Sequence, residues 1–212
     1  MNTRTLLYAG VVAGPFYLAL GVTQGLVREG FDFSRHPLSV LANGSFGWVQ
    51  TANFTITGLM VIAAAVGLSR TLRRRPAMTW FLGGYGLAMI LAALFPADPV
   101  DGFPPGTPEG FPTSITTGIL HFVCGALAFL FLGLSGLTAA WTLGRLRRQT
   151  LAALSLVSGL AVIGGFFGGM ALPLGVAGIW FAVVVGWAWL TVLSLDELRA
   201  ELTSSRGRAA LP

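Results

Sequence analysis

The chain has 212 residues, of which 54% are hydrophobic and only 10% charged, and its mean hydropathy is +0.76. Soluble domains carry about 25% charged residues, and a chain this short has too much surface for its volume to hide so much apolar area from water. A net charge of +5 and a pI near 10.7 raise nucleic acid as a partner, but the basic residues form no basic face and have no polar or aromatic readers beside them, so nucleic acid is excluded.

Charges are confined to short clusters. No Asp, Glu, Lys or Arg occurs in 5–27, 36–69, 76–97, 110–144 or 149–195. A spanning helix needs about 20 mostly apolar residues to cross a hydrocarbon layer roughly 30 Å thick. Four gaps hold one crossing each and the last, at 47 residues, holds two. The expected architecture is an all-α integral membrane protein, a six-transmembrane-helix bundle over 1–197 with a short disordered tail over 198–212.

The first helix is expected over 5–26. It is longer than a signal-peptide core, lacks a small-x-small cleavage site, and is followed by five more spans. On it Tyr17, Gln24 and Arg28 recur at spacings of seven and four and share a face. The connection over 27–46 carries Arg28, Glu29, Asp32, Arg35, His36 and Ser39. The second helix, 47–69, puts Gln50, Asn53 and Thr57 on one face and ends at Arg70.

Pro76 opens the third helix, 77–96, and Pro96 ends it. The connection over 97–114 holds Asp98, Asp101, Glu109 and a repeated Gly-Phe-Pro, at 102–104 and 110–112, too short to be a structural repeat. The fourth helix, 115–143, carries His121 roughly 9 Å below its outer end. Cys124, one turn further on, reads as a packing residue; as the single cysteine it excludes an internal disulfide and a cysteine-based zinc site.

The fifth helix, 150–172, contains Gly164, Gly165, Gly168 and Gly169. These form two overlapping small-xxx-small pairs, which imply close packing either internally or between protomers of a homo-oligomer. Pro173-Leu174-Gly175 makes a hairpin turn into the sixth helix, 176–195. Trp48, Trp80 and Trp180 fall near span ends and read as interface anchors, whereas Trp187 and Trp189 lie deeper.

All thirteen basic residues are arginine, and eleven fall on one side of the predicted bundle, leaving Arg28 and Arg35 on the other. The positive-inside bias then puts both termini in the cytoplasm. An arginine-only, Ala- and Gly-rich composition points to a bacterial inner membrane.

Polar groups inside spans are costly, so those present are informative. Packing glue between helices accounts for amides such as Gln50 and Asn53 taken singly. Yet Gln24, Arg28, Gln50, Asn53, Asp98 and His121 gather at the non-cytoplasmic ends of their helices, with His36 and Ser39 beside them. A site opening outward explains that one-sidedness. The leading function is therefore binding or processing of a lipid or small amphiphile, with Arg28 and Arg35 holding an anionic headgroup. The alternatives are a small transporter component, a structural or sensor subunit, and a membrane-embedded hydrolase. The hydrolase would use Ser39, His36 or His121, and Asp98, or a metal on His36, His121, Asp98 and Asp101. No nucleophile-elbow motif and no HExxH-type spacing supports the hydrolase, and the sequence assigns no cofactor in either direction.

The stretch from Arg28 to Ser39, followed by Gly44, Gly47-Trp48-Val49-Gln50 and Asn53-Phe54, resembles the multi-pass "domain of unknown function 998" family. Phe95-Pro96-Ala97-Asp98, a long loop and His121 early in the next helix resemble its second block. The resemblance covers nearly the whole chain and implies a six-span bacterial or archaeal membrane protein with no assigned activity. The family's characteristic polar positions match Arg28, His36, Ser39, Gln50, Asn53, Asp98 and His121.

Overall fold

The computed structural model describes residues 1–72, 76–110, 116–172 and 175–209. They form six helices long and apolar enough to cross a membrane: α1 Thr3–Val27, α2 Gly47–Thr71, α3 Pro76–Leu94, α4 Thr116–Arg145, α5 Gln149–Ala171 and α6 Gly175–Ala209. A short 3-10 turn, Leu38–Ala42, lies between α1 and α2, and the only β pairing among the described residues is an isolated bridge from Val100 to Phe103. The helices are apolar on their outer faces as well, with Leu59, Leu87, Val157 and Phe181 all exposed. That is what a lipid-facing surface requires.

Each helix packs on its neighbour in sequence, and α6 closes the ring against α1 and α5 while also touching α2 and α4. Small residues set these approaches. A Cβ on Gly58 of α2 would stand 2.7 Å from the carbonyl oxygen of Gly86 in α3. One on Gly159 of α5 would stand 2.8 Å from that of Gly133 in α4. Without a hydrophobic drive between helices in lipid, such backbone contact is a main source of cohesion. Pro15 in α1 cannot donate to the carbonyl of Val11, and Thr191 of α6 donates its hydroxyl there at 3.5 Å.

Two boundaries differ from the sequence reading. The Gly-rich part of α5 does not run as a plain helix; Gly164–Gly168 form one π-type turn. Gly165 and Gly169 press on Gly178 of α6, while a Cβ on Gly164 or Gly168 would meet nothing within 4 Å among the described residues. The sixth helix also runs past 195 to Ala209. Leu198 is buried and Leu202 packs against the core one turn on, while Asp196 and Glu197 both pair with Arg148 at the α4–α5 turn. Those contacts carry the helix beyond its apolar run.

Candidate functional site

At the arginine-poor end the two longer connections fold over the bundle as a cap. Phe103 is its plug, fully buried, with Phe31 edge-on at 5.4 Å, His36 at 5.6 Å and the Arg28 guanidinium 5.1 Å above its ring. Arg28 donates to the carbonyls of Leu41 at 3.1 Å and Asn43 at 2.7 Å, and Asn43 donates on to the carbonyl of Ala97 at 2.9 Å. His36 is buried. Its Nδ1 accepts from the Asp32 N–H at 2.9 Å, so Nε2 holds the proton and donates to the carbonyl of Asp101 at 3.0 Å. Arg28 and His36 thus tie one connection together and to the other.

Arg35 is the second link. Its Nε and Nη2 donate to the Asp101 carboxylate at 2.8 and 2.7 Å, and Nη2 also pairs with Glu109. Asp101 sits at φ +51°, a left-handed conformation costing a non-glycine residue roughly 1–2 kcal/mol. Its carboxylate is fixed by Arg35 and by the Gly110 N–H, and these hold it well below the usual carboxylate range.

One helical turn lower, buried amides join α1 to α2. Nε2 of Gln24 donates to Oε1 of Gln50 at 2.9 Å, and Nδ2 of Asn53 donates to the same oxygen at 3.2 Å and to the carbonyl of Tyr17 at 3.1 Å. Thr57 donates to Oδ1 of Asn53 at 3.2 Å. The 3.6-residue period puts Gln50, Asn53 and Thr57 on one face of α2; two of the bonds run along that face and two cross between α1 and α2.

His121 has a different task. Its Nδ1 lies 3.1 Å from the carbonyl of Ala92 and 2.7 Å from that of Phe95, so Nδ1 carries the proton and donates. In a continuing helix residue 96 would serve Ala92, but residue 96 is a proline and has no N–H. His121 therefore caps the C-terminus of α3, whose last carbonyls lack helical partners, and only Nε2 is left for a guest. The Asp98 carboxylate lies directly against Gly118, where any Cβ would collide with it, at the N-terminal turn of α4. A negative charge is favoured at that end of a helix, and Asp98 is close enough to act electrostatically on His121.

Beneath the cap lies a cavity of about 650 Å³, a size typical of small-molecule sites. Arg35, Ser39, Asp98 and Asp101 line it at the cap, and Tyr17, Tyr85, Ala128 and Trp187 deep in the bundle. Trp187 is twelve residues from the start of α6, which at 1.5 Å per residue is about 18 Å below the cap. The π turn matters here: it presents Phe166 to the cavity, stacked on Phe129 at 4.3 Å. Such turns recur at functional sites.

A family model with the description "Protein of unknown function (DUF998)" matches residues 11–196. The chain is a DUF998 protein. Comparison with curated proteins and with solved structures finds no match. Of the polar positions singled out in this DUF998 chain, Ser39, Asp98 and His121 line the cavity. Gln24, Gln50 and Asn53 lie beside it in the amide layer, and Arg28 and His36 are held within the cap. Among the described residues no three His, Cys, Asp or Glu side chains come together as metal ligands, so His36, His121, Asp98 and Asp101 do not assemble as the drawn metal set.

Two other expectations change. Arg28 and Arg35 do not stand open to an anionic headgroup: the first is bound to two carbonyls and the second to two carboxylates. Trp180 is no interface anchor; it packs on Phe33 at 5.6 Å, donates to the carbonyl of His36 at 3.4 Å and lines the cavity. Trp48 and Trp80 are exposed, as anchors would be. Sequence reasoning did not single out Tyr85, Phe103 or Phe166. For Phe103 the available signal was the density of aromatic residues in the two long connections; Tyr85 and Phe166 lie inside apolar spans, where the sequence carries none.

Proposed function

We propose that this DUF998 protein binds a lipid or small amphiphile in the cavity beneath the cap, with the arginine-rich end of the bundle in the cytoplasm of a cell membrane and the cavity opening on the opposite side. One observation carries it: an apolar, aromatic-walled cavity about 18 Å deep with its charged side chains at one end. That depth is roughly half the 30 Å hydrocarbon layer, the reach of one leaflet. Ile119, Phe122 and Met170 line the cavity and are themselves exposed, which suits a guest drawn from the bilayer.

Gly125 lines the cavity, and a Cβ there meets nothing within 4 Å, so a side chain can be introduced at this point of the wall. The test is mass spectrometry of molecules co-purifying with wild type and with Gly125→Phe. Enrichment of an amphiphile in the wild type alone is the expected result. Equal lipid content in both preparations would refute the proposal.

A second function, hydrolysis of an ester-containing guest, draws on Ser39, Asp98 and His121 lining the same cavity. Turnover of an ester amphiphile that is lost in Ser39→Ala would favour it over binding alone.

A further inference from the structure

We infer that the buried end of the guest carries an oxygen acceptor, a ketone or ester carbonyl, which the hydroxyls of Tyr17 and Tyr85 hold at the floor of the cavity. This rests on the reading of the cavity as an amphiphile site, proposed above.

Tyr17 of α1 and Tyr85 of α3 meet at Trp187, their rings 5.2 and 5.6 Å from its own. All three line the inner end of the cavity. The two tyrosines are only 5% and 6% exposed, and they lie close enough to act on each other electrostatically. Trp187 is about 18 Å below the cap, so this polar pair stands near the middle of the hydrocarbon layer. Polar groups at that depth take a partner or serve a function.

Among the described residues neither hydroxyl finds an acceptor. No group bonds the Tyr85 hydroxyl. Beside Tyr17 lies the Gln50 amide. Oε1 of Gln50 already takes two donors, Nε2 of Gln24 and Nδ2 of Asn53, so the amide has only its unpartnered Nε2 to offer. Nor can that amide be turned round. Asn53 also gives Nδ2 to the Tyr17 carbonyl, which can only accept, and this fixes the Asn53 amide and through it that of Gln50. Gln50 is therefore a donor toward Tyr17 and cannot take the tyrosine's proton. Both hydroxyl oxygens border open space, and the open space their residues line is the cavity.

Two neighbouring donors on one recess are served together by an atom with two lone pairs, and a carbonyl oxygen is such an atom. A guest ending in a plain methyl would leave both hydroxyls facing hydrocarbon, where an unpaired hydroxyl is costly. A carboxylate would arrive unbalanced, since the arginine lining the cavity, Arg35, is at the cap and already paired. At the cap end Ser39 and Nε2 of His121 suit a headgroup hydroxyl. His121 bonds the carbonyl of Ala92, seven residues on from Tyr85, so the two polar stations stand about 10 Å apart along α3. The guest is polar at both ends and apolar between.

The experiment is a binding series in lipid nanodiscs, read by intrinsic tryptophan fluorescence through Trp187 at the floor. Three probes share a primary alcohol and a twelve-carbon chain: dodecanol, a hydroxydodecanone with its ketone next to the far methyl, and the isomer with its ketone mid-chain. The two isomers partition into lipid alike, so a difference between them reports position in the site. The far-end ketone is expected to bind at least about tenfold more tightly than either of the others. Tyr85→Phe and Tyr17→Phe keep the rings and remove one donor each. Each should shrink that preference while dodecanol binds as it does to wild type. Tyr85→Phe should also leave the thermal midpoint of the probe-free protein no lower, which a hydroxyl with a structural partner would not allow.

Equal binding of the three probes, preference for the mid-chain ketone, a preference untouched by both tyrosine variants, or a lower midpoint in Tyr85→Phe overturns the carbonyl assignment. If Gly125→Phe then still abolishes binding, the amphiphile site itself stands. Absence of binding by every probe, or binding unaffected by Gly125→Phe, overturns both.

Discussion

The imidazole Nδ1 of His121 lies 3.1 Å from the carbonyl oxygen of Ala92, the acceptor left unserved because residue 96 is a proline. That bond fixes the tautomer of a cavity-lining histidine through the end of a neighbouring helix. It makes His121 a structural cap and a potential ligand contact at once.

The two roles separate by substitution. His121→Asn keeps an amide N–H within reach of the Ala92 and Phe95 carbonyls, whereas His121→Phe keeps the ring and leaves both oxygens unserved. His121→Phe is expected to lose about 1–3 kcal/mol of stability, and His121→Asn most of that less. Thermal unfolding in detergent checks the order; equal midpoints for the two variants would contradict it.

Gln24 and Gln50 bond each other in a buried layer beside the cavity. Hydrogen bonds of this kind between membrane helices average about 0.6 kcal/mol and reach about 1.7 kcal/mol. A Gln24→Leu, Gln50→Leu double-mutant cycle should return coupling in that range. Amphiphile binding by both single variants should match wild type, because neither side chain lines the cavity. Loss of binding in the variants at unchanged stability would place the amides in the site after all.

Phe103 is fully buried among Phe31, His36 and Arg28. Removing such a ring costs a packed core about 3–5 kcal/mol. Here the loss should fall first on the cap, whose Phe31, His36 and Arg28 surround the ring. In Phe103→Ala, hydrogen exchange over 28–46 and 95–110 is expected to rise well before exchange in α2 or α4 does. Uniform acceleration along the chain would contradict a separable cap.

The Arg35–Asp101 link sets a pH dependence. Asp101 is held below its usual range by Arg35 and the Gly110 N–H, so its folded pKa is lower than its unfolded value of about 3.9. Its contribution is complete above that unfolded value and is lost as pH falls toward the folded one. Cap protection against proteolysis is therefore expected to be flat from about pH 5 to 8 and to weaken below about pH 4. In Asp101→Asn that acid limb should shrink, leaving what Glu109 and Asp32 supply.

The six spans were legible because a bilayer crossing needs charge-free length, and the gaps in 5–27, 36–69, 76–97, 110–144 and 149–195 supply it. The shared face of Gln50, Asn53 and Thr57 was legible for a similar reason, since helical period alone groups them. Whether that face meets a cavity or another helix depends on what packs against it, and no local pattern encodes that. Arg28 was misjudged because its acceptors, the Leu41 and Asn43 carbonyls, are backbone groups that every residue carries. The double role of His121 was readable in principle from Pro96, given knowledge that α3 and α4 are neighbours. How far the sixth helix runs past 195 was not legible, because its extension rests on Arg148, forty-odd residues upstream, and on packing by Leu198.

Sidedness can be read with thiol chemistry, since Cys124 is the single cysteine and is buried. Ser45 is exposed in the cap and Ser204 near the end of α6 is exposed too. A membrane-impermeant maleimide added to intact cells should label Ser45→Cys and spare Ser204→Cys. The reverse pattern would turn the bundle over and point the cavity at the cytoplasm.

The most direct measurement is an experimental density map of the protein in lipid nanodiscs carrying native lipid. The expected map shows elongated density beneath the cap, its polar end at the cap and its tail reaching Tyr85 and Trp187. A cavity closed by its own side chains, or filled only with water down to Trp187, would contradict the account.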